Sequence, residues 1–158
     1  AAKAIIACYA RGGKVLLCGN GGSAGDAQHL AGELVGRFLR DRRAVPAIAL
    51  TTDTSVLTAI GNDYGYDAVF SRQAEAHVSD GDVFIGISTS GNSANVLRAV
   101  EVAAERGATT IGLTGNDGGE LARVADIALT VPSTSTPRIQ EGHIAIGHVL
   151  CDLAERVL

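Results

Sequence analysis

One pattern runs through the whole sequence: short, continuously apolar runs alternate with longer segments of helical character. Lys14–Gly19 (KVLLCG) and Asp82–Ser88 (DVFIGIS) show it most clearly. A strand that is apolar at nearly every position has both faces buried, which is the signature of a parallel sheet. Ala47–Leu50, Thr109–Leu113 and Asp126–Val131 read as three further strands. Helices are expected over Ala1–Arg11, Ala24–Arg40, Ser55–Ile60, Tyr66–Val78, Ala94–Arg106, Gly119–Val124 and Thr136–Leu158. Such alternation builds right-handed βαβ units with helices on both faces of the sheet. The expectation is an α/β fold: a doubly wound, five-stranded parallel sheet of flavodoxin-like order, with residues 1–158 forming one domain.

Composition agrees. Of the 158 residues 46% are hydrophobic but only 4% aromatic, so Ala, Val, Ile and Leu must fill the core. A domain of this length buries about two thirds of the surface of its unfolded chain. The net charge is −4, and the only basic concentration is Arg37, Arg40, Arg42 and Arg43. That cluster reads as a solvated helix end rather than a nucleic-acid patch. No apolar run approaches the roughly 18 residues of a membrane span, and no signal peptide is seen. Cys8, Cys18 and Cys151 are odd in number and form no CxxC pair, so reduced, buried thiols and a cytoplasmic location are expected. The sequence opens inside a helical pattern, and further residues are expected before Ala1.

Ligands of doubly wound sheets bind beyond the carboxyl ends of the strands. Three loops fall there: Gly19–Ser23, Ser88–Ser93 and Thr114–Gly119. The second, STSGNS, offers hydroxyls at Ser88, Thr89, Ser90 and Ser93 just before a helix. Hydroxyls, free N–H groups and the helix dipole together suit a phosphomonoester, and Gly91 permits a close turn. The lysine of a nucleotide-binding GxxxxGK[ST] loop is missing, which disfavours a nucleoside triphosphate. The alternative is a Ser-rich turn capped by Ser93. The first loop lacks the GxGxxG spacing of dinucleotide binders; it reads as a tight strand-to-helix turn against a small ligand.

His29 and Glu33 are spaced i, i+4 and share a helical face. The last helix carries Gln140, Glu141, His143 and His148. His, Glu and Gln together suit a borderline divalent ion such as zinc. A surface His/Glu hydrogen bond is the plain alternative for the first pair, and an ordinary helix histidine for His148. His143 reads as a surface or supporting group. Gln140 and His148 stand eight residues apart, about 12 Å of rise on a straight helix. One ion would have to be reached by both from opposite sides, so a site at a subunit interface is expected.

The segments CGNGGSAGDAQHLAGEL, ALTTDTSVLTAIGNDYGYD, ISTSGNS, LTGNDGGEL and IQEGHIAIGHVLCDL, in this order, resemble the phosphoheptose isomerases, a branch of the sugar isomerase (SIS) domain superfamily. The resemblance covers nearly the whole chain, from about Gly13 to Leu158. It implies an aldose–ketose isomerase acting on sedoheptulose 7-phosphate through an enediol, a homotetramer with sites between subunits, and an additional N-terminal helix. It implies a zinc site at His29, Glu33, Gln140 and His148, with Glu33 and His148 as the acid/base pair. It implies phosphate binding by Ser88, Thr89, Ser90 and Ser93, and sugar binding by Asn20, Gly21, Gly22, Ser23, Glu33, Asn62, Asp63 and Gln140. The rival is a non-catalytic SIS module that binds a phosphosugar or a replication-initiator protein. Glu33 and His148, present here, favour the enzyme.

Overall fold

The computed structural model describes residues 1–158. Five strands form one parallel sheet: β1 (Val15–Gly19), β2 (Ala47–Ala49), β3 (Val83–Ser88), β4 (Thr109–Gly115) and β5 (Ile127–Val131). Their order is β2-β1-β3-β4-β5, the expected flavodoxin-like order. The order in which strands are added reverses between β1 and β3, which pair in parallel from Val15↔Val83 to Gly19↔Ile87. The loops leaving these two strands therefore open side by side at the ligand edge.

Seven helices flank the sheet: α1 (Ala2–Ala10), α2 (Gly22–Val35), α3 (Thr54–Tyr64), α4 (Ser71–His77), α5 (Ala94–Glu105), α6 (Leu121–Val124) and α7 (Thr136–Glu155). Alternate residues of the central strands feed opposite faces. Leu17, Ile85 and Leu113 pack with Ile5 of α1, Leu30 of α2 and Leu150 of α7. Leu16, Cys18 and Phe84 pack with Ala74 of α4, Val96 and Val100 of α5 and Leu121 of α6. Val96, Ala99, Val100 and Ala103 bury one stripe of α5 at helical spacing. Gly86 and Gly112 lie in van der Waals contact with Val100 and Leu121, where any side chain would push those helices off the sheet. All three cysteines are free and buried.

The structure corrects several expected boundaries. The helix expected over Ala24–Arg40 starts at Gly22 and stops at Val35. The chain beyond Gly36 does not continue it because Glu155 of α7 takes the N–H groups of Phe38, Leu39 and Arg40. Arg42 is no solvated helix end: its side chain is 5% exposed and paired with Glu155. The helix expected over Tyr66–Val78 is broken into a 3-10 turn, Tyr66–Ala68, and α4. The join is fixed by burial of Val69 and Phe70 and by Gln73, whose amide donates to the carbonyls of Leu50 and Val69. The helix expected over Ser55–Ile60 extends to Tyr64 and is capped by Asp53, whose side chain accepts from the Val56 N–H.

Candidate active site

The two helices that carry the site are α2 and α7, which pack side by side. Gly22 touches Gln140, Leu30 touches Gly147, and His29 touches His148. These pairs rise together along both helices, so the helices run parallel. Gly22 and Gly147 set the register, since a side chain at Gly22 would strike the Gln140 amide and one at Gly147 would strike Leu30.

Within this seam His29, Glu33 and His148 converge, their ligand atoms all within 4.8 Å of one another. His29 Nε2 is 3.1 Å from Glu33 Oε1 and 3.0 Å from His148 Nε2. Both His29 separations are close to the roughly 3.3 Å edge of a tetrahedral shell with bonds of about 2.0–2.1 Å, so these residues would be the ones to hold a zinc-sized ion. His148 is no ordinary helix histidine. Its ring also stacks on Phe38, with centroids 5.2 Å apart and planes at 26°. Gln140 lies elsewhere in this chain: its amide rests on Gly22, in the first turn of α2, about two turns before the trio.

Beneath the seam lie two buried polar atoms, and of the two expectations for His143 the supporting one holds. His143 is not at the surface; it is fully buried, and its Nε2 donates to the Thr114 carbonyl at 2.8 Å. Its Nδ1 and the Asp26 Oδ2 are both buried without a partner. Burial pushes the Asp26 carboxyl up, and the neighbouring His143 and His29 pull it back only in part.

At the ligand edge the hydroxyl loop closes on itself. Ser88 Oγ lies 2.9 Å from Ser93 Oγ and 3.4 Å from Ser90 Oγ. Gly91 takes a φ of +68°, and a side chain there would strike the Gly118 carbonyl. Ser93 precedes α5 but gives it no side-chain cap, its hydroxyl bonding Ser88 instead, so the first N–H groups of the helix remain for an anion. Thr89, half-buried, lies in the same loop, and its carbonyl accepts from the Asn116 amide at 3.2 Å.

Asn20 joins this loop to the glycine turn of Gly21, Gly22 and Ser23. Its amide pairs reciprocally with that of Asn95, both bonds 2.9 Å, and its oxygen also accepts from Tyr66 Oη at 3.2 Å. Asn95, buried in the first turn of α5, and Tyr66 were not singled out by the sequence; the SGNSAN run holds the only hint. Asn62 and Asp63 are exposed on the last turn of α3 and bond to each other at 2.8 Å, with no hydrogen bond to the trio or the cradle.

The SIS domain family model matches residues 1–115, and the 2-1-3-4-5 parallel sheet agrees with that assignment. The phosphoheptose isomerase of Rhodospirillum rubrum is 60% identical over 158 residues, covering 100% of this chain and 84% of that one. That of Geobacter sulfurreducens is 64% identical over 149 residues, covering 94% and 79%. The solved phosphoheptose isomerase of Neisseria gonorrhoeae superposes with a TM-score of 0.93 at 53% identity, covering 99% of this chain and 83% of that one. The one from Francisella tularensis gives 0.94 at 44% identity, covering 98% and 83%. The chain belongs to the phosphoheptose isomerase family and is a sugar-phosphate isomerase.

Proposed function

We propose that the chain converts sedoheptulose 7-phosphate into D-glycero-D-manno-heptose 7-phosphate through an enediol, with one zinc ion held by His29, Glu33 and His148. The observation that carries this reading is the convergence of those three groups in the α2–α7 seam. Their donor set suits zinc and leaves one position for substrate. A zinc ion there would act as a Lewis acid, polarising the substrate carbonyl.

The chain's own groups do the rest. The cradle of Ser88, Thr89, Ser90 and Ser93 anchors the phosphate, and this remote binding orients the reacting carbons. Asn20, held by Asn95, together with Gly21, Gly22 and Ser23, lines the path from cradle to trio. Gln140 we assign to the sugar rather than to the ion of its own chain, because its amide lies beside the glycine turn. Glu33 presents Oε1 toward His29, and its Oε2 has no partner in the chain. That carboxylate moves the proton between C1 and C2, while His148 shuttles protons on the sugar oxygens.

The same reading includes a homotetramer with sites between subunits, and one apolar surface supports it. An entirely apolar groove of about 420 Å³ lies between α7, Leu129 of β5 and the start of α1, where Val149 and Leu153 are 57% and 39% exposed. Faces of this kind mark association surfaces. No helix is long and apolar enough to cross a membrane, and three free thiols suit the cytoplasm. The test is turnover of sedoheptulose 7-phosphate with and without a chelator, beside five- and six-carbon ketose phosphates. Aldose should form from the seven-carbon substrate and stop on chelation; no product from it would sink the reading.

A further inference from the structure

A buried charge cluster clasps the carboxyl ends of the two site helices, and the chemistry above does not use it. Glu155, in the last turn of α7, is 4% exposed. Its carboxylate accepts the N–H groups of Phe38 at 2.6 Å, Leu39 at 2.8 Å and Arg40 at 3.0 Å. Arg42 lies 3.3 Å from the same carboxylate. Its guanidinium donates to the Glu33 carbonyl at 2.8 Å and the Gly36 carbonyl at 3.4 Å. Carbonyls of a last helical turn lack intrahelical partners and favour a cation. One ion pair thus ties the end of α2, which carries Glu33, to the end of α7, two turns beyond His148.

The segment held this way has one side chain that reaches the site. Phe38 stacks on the His148 ring, while the His29 ring sits 5.1 Å away at 48°. Histidine χ2 is a broad, two-fold torsion when nothing restrains it. A flat ring at near-parallel tilt supplies that restraint. We propose that Phe38, held in place by Glu155 and Arg42, is a positioning residue that fixes the plane of the His148 imidazole and so aims Nε2 into the trio with His29 and Glu33. The proposal rests on the role of His148 in turnover.

Bulk alone and flatness alone predict different results, which makes the proposal testable in the full-length enzyme. Phe38→Tyr keeps a flat ring, and Phe38→Leu keeps apolar bulk without one. The expected result is kcat within twofold of wild type for Phe38→Tyr, and about tenfold lower for Phe38→Leu with KM unchanged, as for small misplacements of a reacting group. The His148 ring signals in long-range 1H–15N spectra should shift or broaden in Phe38→Leu only. Glu155→Gln, which keeps the shape, should lower kcat in the same direction. Its effect should not add to that of Phe38→Leu if the two act through one ring. Wild-type kcat and unmoved ring signals in Phe38→Leu, beside an inactive His148→Ala, would overturn the positioning role alone. Multiplying effects in the double variant would also overturn it. Wild-type turnover by His148→Ala would remove the underlying reading, and the proposal with it.

Discussion

His29 Nε2 and His148 Nε2 lie 3.0 Å apart, across the seam between two parallel helices. Two imidazole nitrogens at that separation either share one proton or turn their lone pairs toward one cation. Glu33 Oε1, 3.1 Å from the same His29 nitrogen, supplies negative charge to the second arrangement. Purified enzyme is expected to hold one zinc per chain. Loss of a supporting partner alone weakens metal sites by about 10–100-fold, so His148→Ala should lose at least that much affinity. Competition with a chromophoric chelator measures this, and unchanged affinity would detach the histidine pair from metal binding.

Glu33 is expected to be indispensable to proton transfer and dispensable to phosphate binding, because the cradle belongs to other elements. Glu33→Gln should lower kcat by about 10²–10⁴, the usual contribution of a positioned acid or base. Thermal stabilisation by sedoheptulose 7-phosphate should persist. A variant that still turns over would place the base elsewhere.

The cradle makes a separate prediction. Ser93→Ala removes one hydroxyl from the cradle, and a bond to a charged ligand is worth about 1.5–3 kcal/mol, so KM should rise about 10–100-fold with little change in melting temperature. Gly91→Ala should behave differently. It forces a side chain into a positive φ and onto the Gly118 carbonyl, at a conformational cost of about 1–2 kcal/mol before the clash is counted. Its melting temperature should fall together with phosphate affinity, which thermal unfolding with and without inorganic phosphate will show.

Asn95 should report on the sugar end. Asn95→Ala removes both 2.9 Å amide bonds to Asn20 and leaves its oxygen only Tyr66 Oη, and a polar group left without a partner away from water costs about 1–3 kcal/mol. A rise in KM for the seven-carbon substrate larger than the rise in the inhibition constant of inorganic phosphate is expected. Equal rises would mean that Asn95 serves the cradle instead.

Much of this architecture was readable from residue patterns, and the exceptions share a cause. The six buried positions of β3 announced a parallel sheet, and crossover handedness then limited the strand order. His29 and Glu33 were legible because i, i+4 spacing is local. What local pattern cannot carry is a partner far away in the chain. Nothing around Val35 shows that Glu155 will claim the next N–H groups and end α2. Nothing around Arg42 shows that its charge will be buried. The depth of His143 depends on the Thr114 carbonyl, and the pairing of His29 with His148 depends on a register set by Gly22 and Gly147. Each is a tertiary decision, taken where two distant segments meet.

That same clasp gives the fold a definite response to acid. Burial pushes the Glu155 carboxyl up, but the N–H groups of Leu39, Phe38 and Arg40 and the charge of Arg42 bring it, on balance, below its ordinary 4.5. The unfolded chain therefore binds that proton more tightly than the folded one. The stabilisation is complete above the unfolded value and is lost as pH falls through the lower, folded value. Glu155→Gln keeps one acceptor but discards the charge, leaving Arg42 buried beside a neutral amide, at a cost of about 1–3 kcal/mol near neutral pH. In a chain of this length each kcal/mol moves the melting temperature by about 2–4 °C. The gap between wild type and variant should be widest near neutral pH and should narrow as pH drops below about 4.5, because protonated wild type approaches the amide in charge. Melting curves across that range decide the matter: a gap that stays constant would mean the folded carboxyl carries no charge to lose.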